Sequence, residues 1–237
     1  INLWERHLKE KVSSIKSLTY REAIVEIYDS FWTEENILKA LDFLNKKEIE
    51  CNKIIKNWYP RRSQFKPSKS NFSKVGSVKK LMEDVKGHFG SISILVNCAA
   101  TESQELCDLK SITSDRWEKT NRTNVVAPLI LTQEFAKQEI AGSIINVSSI
   151  EGSRPSFSHA HYSSTKAALE MLTKSSALEY GYLGVRVNAI APGLINREHI
   201  DKTWPEGVAA WKSNAPLSAL VEPQHIAHAV VFLASEN

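Results

Sequence analysis

The sequence predicts an α/β protein built on a doubly wound parallel sheet, and three observations carry this prediction. Short, β-branched apolar runs alternate with longer segments of helical periodicity. They follow one another at the spacing of strand–helix–strand units, which is typical of parallel sheets. Of the 237 residues, 42% are hydrophobic, which is enough for a sizeable core. This length suits one such domain or two small ones.

The weaker elements lie in the first seventy residues. The patterns predict a charged helix over 2–18, a strand over 21–28, a helix over 33–47 and a strand over 51–58. The segment from Pro60 to Ser77 is basic, polar and contains two prolines, so we expect a loop. We therefore predict a helical extension over 1–20 ahead of an α/β domain over 21–237.

The stronger elements follow in strict alternation. They are a helix from Val78 to His88, a strand over 93–96, a helix from Ser114 to Ala136, a strand over 143–147, a helix from Ser163 to Tyr180, a strand over 185–190 and a helix from Pro223 to Ala234. We expect Gly87 and Gly90 to end the first of these helices. The residues expected to face inward from the long helix are Ala167, Leu169, Met171, Leu172 and Leu178.

Composition excludes several classes of function. The net charge of +3 argues against a globally basic nucleic-acid binder, although residues 51–82 carry nine basic side chains and no acidic one. The longest apolar runs fall short of the roughly 18–20 residues of a membrane helix, so we expect no membrane partner. Three cysteines, an odd number, argue against a disulfide framework and for a reducing, cytoplasmic location. We expect no metal site.

A tyrosine–lysine pair carries the clearest chemical signal. Tyr162 and Lys166 lie four residues apart at the start of the long helix, so both side chains share one face. An ammonium beside a phenol lowers the phenol pKa from about 10, which makes tyrosine usable as a general acid/base. Ser149 follows the preceding strand, where a hydroxyl can hold an alcohol or carbonyl oxygen. Such a pair alone is also common on solvated helix surfaces.

Five motifs in one order supply the context, and with them residues 70–237 resemble the short-chain dehydrogenase/reductase family. The first motif is Leu95–Ala100, which is similar to a family strand that ends in N-N-A-G, with Cys98 and Ala100 in place of Asn and Gly. The others, in order, are Trp117 with Asn124, Ile145–Ser149, Tyr162–Lys166, which is the Y-x-x-x-K motif, and Val185–Gly193. Ser149 lies thirteen residues before Tyr162, the family spacing, which favours it over Ser148. The resemblance implies a Rossmann-like fold that lacks the family's last strand, because the chain stops at Asn237.

The resemblance implies NAD- or NADP-dependent hydride transfer between nicotinamide and a secondary alcohol or ketone. Tyr162 would exchange a proton with the substrate oxygen, Lys166 would hold the ribose hydroxyls and Ser149 would position the substrate. Asn124 would hold a water that links Lys166 to solvent. The other implied cofactor-binding residues are Asn97, Ala99, Pro192 and Gly193. Two further residues are implied to face the substrate together with Ser149. The first is His159, for which a solvated loop position is the alternative. The second is Trp204, which lies in the expected lid over 196–214 and for which packing on the domain is the alternative.

One departure from the family pattern is large. The first glycine of the chain is Gly76, so the family's T-G-x-x-x-G-x-G loop, which brings backbone close to the diphosphate, is absent. Aromatic and acidic residues over 27–34 stand in its place. Residues 21–70 are thus a degenerate part of the domain and 71–237 the well-matched part. Two hypotheses follow: an enzyme with altered dinucleotide binding, or a non-catalytic relative that serves in binding or assembly.

Three further expectations follow from the resemblance. Arg61 and Arg62 follow the second predicted strand, where NADP-preferring members place arginines; a solvated basic loop is the alternative reading. Asn71–Ser73 is weakly similar to the D-x-S adenine contact. Family members are commonly homodimers or homotetramers through the helices that correspond here to residues near 115–138 and 163–180, and the missing last strand argues against a tetramer.

Overall fold

The computed structural model describes residues 70–101 and 106–235. The extension over 1–20, the elements predicted over 21–58, the segment 27–34 and the Arg61–Arg62 pair lie outside the described residues. The domain boundaries predicted there therefore stay predictions.

Three parallel strands form one sheet in this part of the chain. They are β1 (Ile94–Asn97), β2 (Gly142–Val147) and β3 (Val185–Ile190), and their order in space is their order in sequence. Ile94 pairs with Ser143, and Gly142 pairs with Val185, so β2 is the central strand. Parallel neighbours need crossover helices, and helices connect both pairs. The predicted parallel α/β sheet is confirmed.

Seven α-helices surround this sheet within the described ranges. They are α1 (Val75–Phe89), α2 (Ser114–Asn121), α3 (Ala127–Ala136), α4 (Ala160–Tyr180), α5 (Ile200–Thr203), α6 (Pro205–Asn214) and α7 (Pro223–Ala234). A π-helical segment, Arg122–Val126, joins α2 to α3 without a break. None of these helices is both long enough and apolar enough to span a bilayer.

Local chemistry explains two of the helix ends. The side chain of Thr113 accepts a hydrogen bond from the Arg116 backbone at 3.2 Å and so caps α2. Gly90 ends α1 in the left-handed region at φ 77°, which glycine adopts without strain. Gly87, predicted as a second stop, instead lies inside α1, since one glycine weakens a helix without ending it.

Helices cover both faces of the sheet. On one face Ile144 packs in a core with Phe135 of α3 and Val187 of β3. On the other face Ser143, the neighbour of Ile144 in β2, donates a 2.9 Å hydrogen bond to the Leu233 carbonyl of α7. Because successive strand residues point to opposite faces, this places helices on both sides and confirms the doubly wound arrangement.

The prediction for the buried face of α4 is wrong for three of its five residues. Leu169 is buried and Leu172 is half-buried, but Ala167, Met171 and Leu178 are exposed. The buried face of α4 is mainly polar, with His161, Tyr162, Ser163, Thr165, Lys166, Thr173 and Ser176. Ser163, Thr165, Lys166 and Thr173 donate hydrogen bonds inside the domain, and Met171 and Leu178 face outward.

Candidate active site

The four residues predicted to be catalytic meet at the carboxyl end of β2. Ser149 stands two residues beyond the strand, and its hydroxyl is hydrogen-bonded to that of Tyr162 on α4. Lys166, one turn further along α4, donates a 2.8 Å hydrogen bond to the Val147 carbonyl. Asn124 reaches the same turn of α4 through Thr165. The spacing read from the sequence thus corresponds to one cluster in space.

The hydroxyl of Ser149 also organises its own loop. It caps a short 3₁₀ turn, Ile150–Gly152, by accepting a 3.2 Å hydrogen bond from the Glu151 backbone. Ser148, the alternative candidate, is buried, and its hydroxyl donates to the carboxylate of Glu170 at 2.9 Å. Ser149 is half-buried and is the serine bonded to Tyr162.

The environment of Tyr162 reverses the expected direction of its pKa. Burial raises this pKa to about 12, the Ser149 hydrogen bond partly opposes the increase, and the negative charge of Glu151 adds to it. The sequence predicted a decrease caused by Lys166. That prediction is wrong for this structure, because the ammonium is bound to a backbone carbonyl, 5.5 Å from the centre of the phenol ring, while desolvation of the phenol dominates.

Lys166 is almost completely buried, with 2% of its surface exposed. Burial lowers its pKa to about 8, and the charge of Cys98 at the end of β1 opposes this in part. The Lys166 ammonium therefore loses its proton near the upper end of the physiological pH range. This suits a group placed beside a proton-transfer site.

Asn124 lies in the π-helical segment, a feature that often marks functional sites. Its amide oxygen accepts from the Thr101 backbone at 2.9 Å. The amide nitrogen donates to the Thr101 carbonyl at 3.2 Å and to the Thr165 hydroxyl at 3.0 Å. The side chain thus joins the loop after β1 to α4. Its role toward a bound water stays a prediction.

The predicted cofactor-binding residues lie at the carboxyl ends of the strands. Asn97 ends β1, and its amide donates to the Asn146 side chain at 2.8 Å. Ala99 is exposed just beyond β1. Pro192 and Gly193 follow β3, and the Pro192 carbonyl accepts from the Ile150 backbone at 2.8 Å, which ties this loop to the Ser149 turn.

The structure distinguishes the two substrate-facing candidates. His159 is not a solvated loop residue: it is buried, stacks on the ring of Tyr162 and lies 2.8 Å from the Glu151 carboxylate. Trp204 lies at the junction of α5 and α6, and its indole packs on Gly207. Trp211 of α6 contacts Gly193 and donates to the Ala219 carbonyl at 2.9 Å.

Glu151 is the functional candidate that sequence reasoning missed. Its carboxylate accepts from Ser163 at 2.8 Å as well as contacting His159. These hydrogen bonds outweigh its burial and lower its pKa. An acidic residue between Ser149 and Tyr162 was visible in the sequence, but nothing in the pattern indicated that it turns inward.

Comparison with known proteins places these features in context. A family model described as enoyl-(acyl carrier protein) reductase matches residues 44–237. A (3R)-3-hydroxyacyl-CoA dehydrogenase from Canis lupus familiaris is 31% identical over 173 residues, 71% of this chain and 66% of that protein. The 3-oxoacyl-[acyl-carrier-protein] reductase FabG of Staphylococcus aureus is 29% identical over 207 residues, 86% of this chain and 83% of that protein.

A solved structure shows the same fold. The structure of 4-hydroxyisoleucine dehydrogenase complexed with NADH superposes with a TM-score of 0.65 at 31% identity. The match covers 71% of this chain and 72% of that chain. The Rossmann-like fold expected from the sequence is therefore confirmed for the matched part.

Proposed function

The chain belongs to the short-chain dehydrogenase/reductase family, and from this premise we propose that it transfers hydride between a nicotinamide dinucleotide and a secondary alcohol or ketone. The observation that carries the proposal is the hydrogen-bonded Ser149–Tyr162 pair beside buried Lys166 at the end of β2. A hydroxyl pair of this kind binds a substrate oxygen and passes it a proton. The substrate would be a small molecule with one such oxygen.

The residues at the strand ends fit a nicotinamide dinucleotide. The side chains of Cys98, Ala99 and Ala100 are short and exposed after β1, so a flat ring or ribose can approach the backbone there. Lys166 supplies a cation for ribose hydroxyls. When bound, the dinucleotide would supply or accept the hydride at its nicotinamide ring. NAD and NADP both fit these features.

The residues of the chain would handle the substrate oxygen and its proton. Ser149 would hold the oxygen, and Tyr162 would donate its proton to it during ketone reduction or accept one during alcohol oxidation. Lys166 would restore the proton from solvent, and Asn124 would keep the loop after β1 in place beside it. With a pKa of about 12, the phenol of Tyr162 is protonated at neutral pH and can serve as the proton donor.

A homodimer through the long helices accompanies this proposal. Met171 and Leu178 are 61% and 85% exposed and lie seven residues apart, on one face of α4. An exposed apolar stripe of this kind is typical of an interface, and a second copy of the chain would cover it symmetrically. A homotetramer needs a further surface. The free thiols of Cys98 and Cys107 fit a reducing, cytoplasmic setting.

The second candidate is a non-catalytic family member that serves in binding or assembly. The observation that favours it is the lack of glycine before Gly76, which removes the usual diphosphate loop. This second candidate requires that no cofactor binds beside the Ser149–Tyr162–Lys166 cluster.

A titration of the purified chain with NADH and with NADPH, followed by nicotinamide fluorescence, separates the two candidates. Saturable binding that is weakened by Lys166→Met supports the oxidoreductase. A preference for NADPH that is lost in Arg61→Ala/Arg62→Ala would assign these arginines to the 2′-phosphate. No binding of either dinucleotide at millimolar concentration would overturn the enzyme proposal and favour the binding protein.

A further inference from the structure

A buried histidine lies flat on the ring of Tyr162. The ring centres of His159 and Tyr162 are 4.7 Å apart at an interplanar angle of 17°. The Nδ1 atom of His159 is 2.8 Å from a carboxylate oxygen of Glu151. Only 3% of His159 is exposed, so this contact is shielded from solvent. A carboxylate, an imidazole and the phenol therefore form one continuous group.

Glu151 connects the two elements that carry the reacting hydroxyls. Its backbone donates to Ser149, and its carboxylate accepts from Ser163 in the first turn of α4 and is hydrogen-bonded to Ser156. The loop with Ser149 is thus fastened to the helix with Tyr162 through one side chain. Any shift of this carboxylate would change the distance between the two hydroxyls.

The backbone before His159 is held in an uncommon conformation. Ser158 has φ 56°, in the left-handed region that a serine rarely adopts. Two short contacts maintain it: its hydroxyl donates to Asp108 at 2.6 Å, and its carbonyl accepts from the Cys107 backbone at 2.6 Å. Such conformations persist where surrounding contacts impose them. Here they direct the following residue, His159, onto the tyrosine.

We propose that Glu151 and His159 are a positioning pair, which fixes the ring of Tyr162 beside the Ser149 loop. The inference rests on the proposed function and deepens it, because it names the residues that would hold the proposed proton donor in place. It stands on the stack, on the Glu151–His159 contact and on the hydrogen bonds that join both to the Ser149 loop.

The other charged or titratable groups around Tyr162 set the sign of the effect. They are Lys166 on α4, Cys98 at the end of β1, and His161, whose ring contacts His159 edge-on at 5.3 Å. Glu151 raises the pKa of the phenol because its negative charge disfavours a phenolate nearby. Replacing it with the neutral glutamine leaves Lys166 in place, so we expect the pKa of Tyr162 to fall.

The test is an ultraviolet titration of tyrosinate in cofactor-free protein, with the Tyr162→Phe signal subtracted from that of each variant. Glu151→Gln keeps the size and a hydrogen-bonding oxygen, and we expect Tyr162 to ionise about one pH unit lower in it. His159→Phe keeps a ring on Tyr162 but loses the carboxylate contact, and should also shift the titration. Glu179→Gln, an exposed site on the same helix, is the matched control and should not.

Activity gives the second readout. In Glu151→Gln the pH limb of alcohol oxidation should move down with the Tyr162 titration, and kcat should fall more than KM changes. A loss of activity at all pH values with an unmoved limb and an unmoved titration would show a merely structural role and overturn the inference. Because the titration needs no cofactor, it decides the inference even if dinucleotide binding fails. If Glu151→Gln does not fold, the His159→Phe titration decides it alone.

Discussion

The ammonium of Lys166 is bound to the carbonyl oxygen of Val147, the last residue of β2, at 2.8 Å. The hydrogen-bond partner of this buried ammonium is therefore a neutral carbonyl and not a carboxylate. This explains why its pKa falls to about 8. It also means that the folded chain carries the cost of desolvating a charge at neutral pH, at a position that the proposed reaction would use.

Replacing this lysine should therefore stabilise the protein. The pKa decrease from 10.5 to about 8 corresponds to about 3 kcal/mol at pH 7, of which the lost Val147 hydrogen bond offsets about 1 kcal/mol. We expect Lys166→Met to raise the free energy of unfolding by about 2 kcal/mol while reducing turnover. Urea denaturation at pH 7 measures the change, and equal or lower stability would contradict it.

The same lysine predicts how stability varies with alkaline pH. Between pH 8 and 10.5 the unfolded chain still holds the lysine proton that the folded chain has released, so stability should rise with pH in that window. Above pH 10 the unfolded chain loses the Tyr162 proton while the folded chain keeps it, and stability should fall. In Lys166→Met the rise should vanish and the fall should remain.

Tyr162 should be required for turnover but not for folding. Removing its hydroxyl in Tyr162→Phe takes away the general acid, which should lower kcat by about 10²–10⁴. The lost hydrogen bond to Ser149 should lower the unfolding free energy by only about 1 kcal/mol. Tyr182→Phe, at an exposed site, is the control. Undiminished turnover in Tyr162→Phe would contradict the mechanism.

Replacing Asn124 should lower the free energy of unfolding more than replacing an exposed asparagine does. Asn124→Ala removes three hydrogen bonds, two to the half-buried backbone of Thr101 and one to the buried hydroxyl of Thr165. We expect a loss of about 2–4 kcal/mol in unfolding free energy. Asn214→Ala, an exposed asparagine on α6, should change it by less than about 0.5 kcal/mol. Equal effects of the two substitutions would show that the π-helical segment does not depend on this amide.

The sequence predicted strands and helices well where periodicity is strong and length is sufficient. The strand over 185–190 and the helix from Pro223 to Ala234 were predicted to the residue. The short helix α5 was missed, because four residues are too few to show a period and its start at His199 depends on a left-handed φ of 61°. Tertiary contacts decide such a segment.

The sequence predicted that Ser149, Tyr162 and Lys166 lie together, but it missed Glu151 and the electrostatics of the cluster. Spacing alone places Ser149, Tyr162 and Lys166 together, since strand ends and helix starts meet at one edge of a parallel sheet. The pKa direction of Tyr162 depends on solvent exclusion and on the inward turn of Glu151, which spacing does not encode. The polar buried face of α4 was missed for a similar reason: its polar residues are satisfied by distant partners, such as Asn146 for Thr173.

Gly193 should be intolerant of any side chain. A Cβ there would overlap the indole of Trp211, and that ring is fixed by its hydrogen bond to the Ala219 carbonyl. We expect Gly193→Ala to displace α6 and to lower the unfolding free energy by about 1–3 kcal/mol. Adding Trp211→Leu should recover part of the loss, because it removes the overlap. Gly181→Ala, where a Cβ meets open space, should be neutral; an equal loss at both glycines would refute the role of the indole.

The apolar stripe of α4 should form the contact between two copies of the chain. In a symmetric dimer the helix meets its own copy, so Leu178→Glu places two carboxylates in the same apolar contact. We expect the wild type to sediment as a dimer at micromolar concentration and Leu178→Glu as a folded monomer with an unchanged circular dichroism spectrum. Leu109→Glu removes an exposed leucine outside α2, α3 and α4, and should leave the dimer intact. A wild type that sediments as a monomer would contradict the dimer, and an interface disrupted equally by both substitutions would place it elsewhere on the surface.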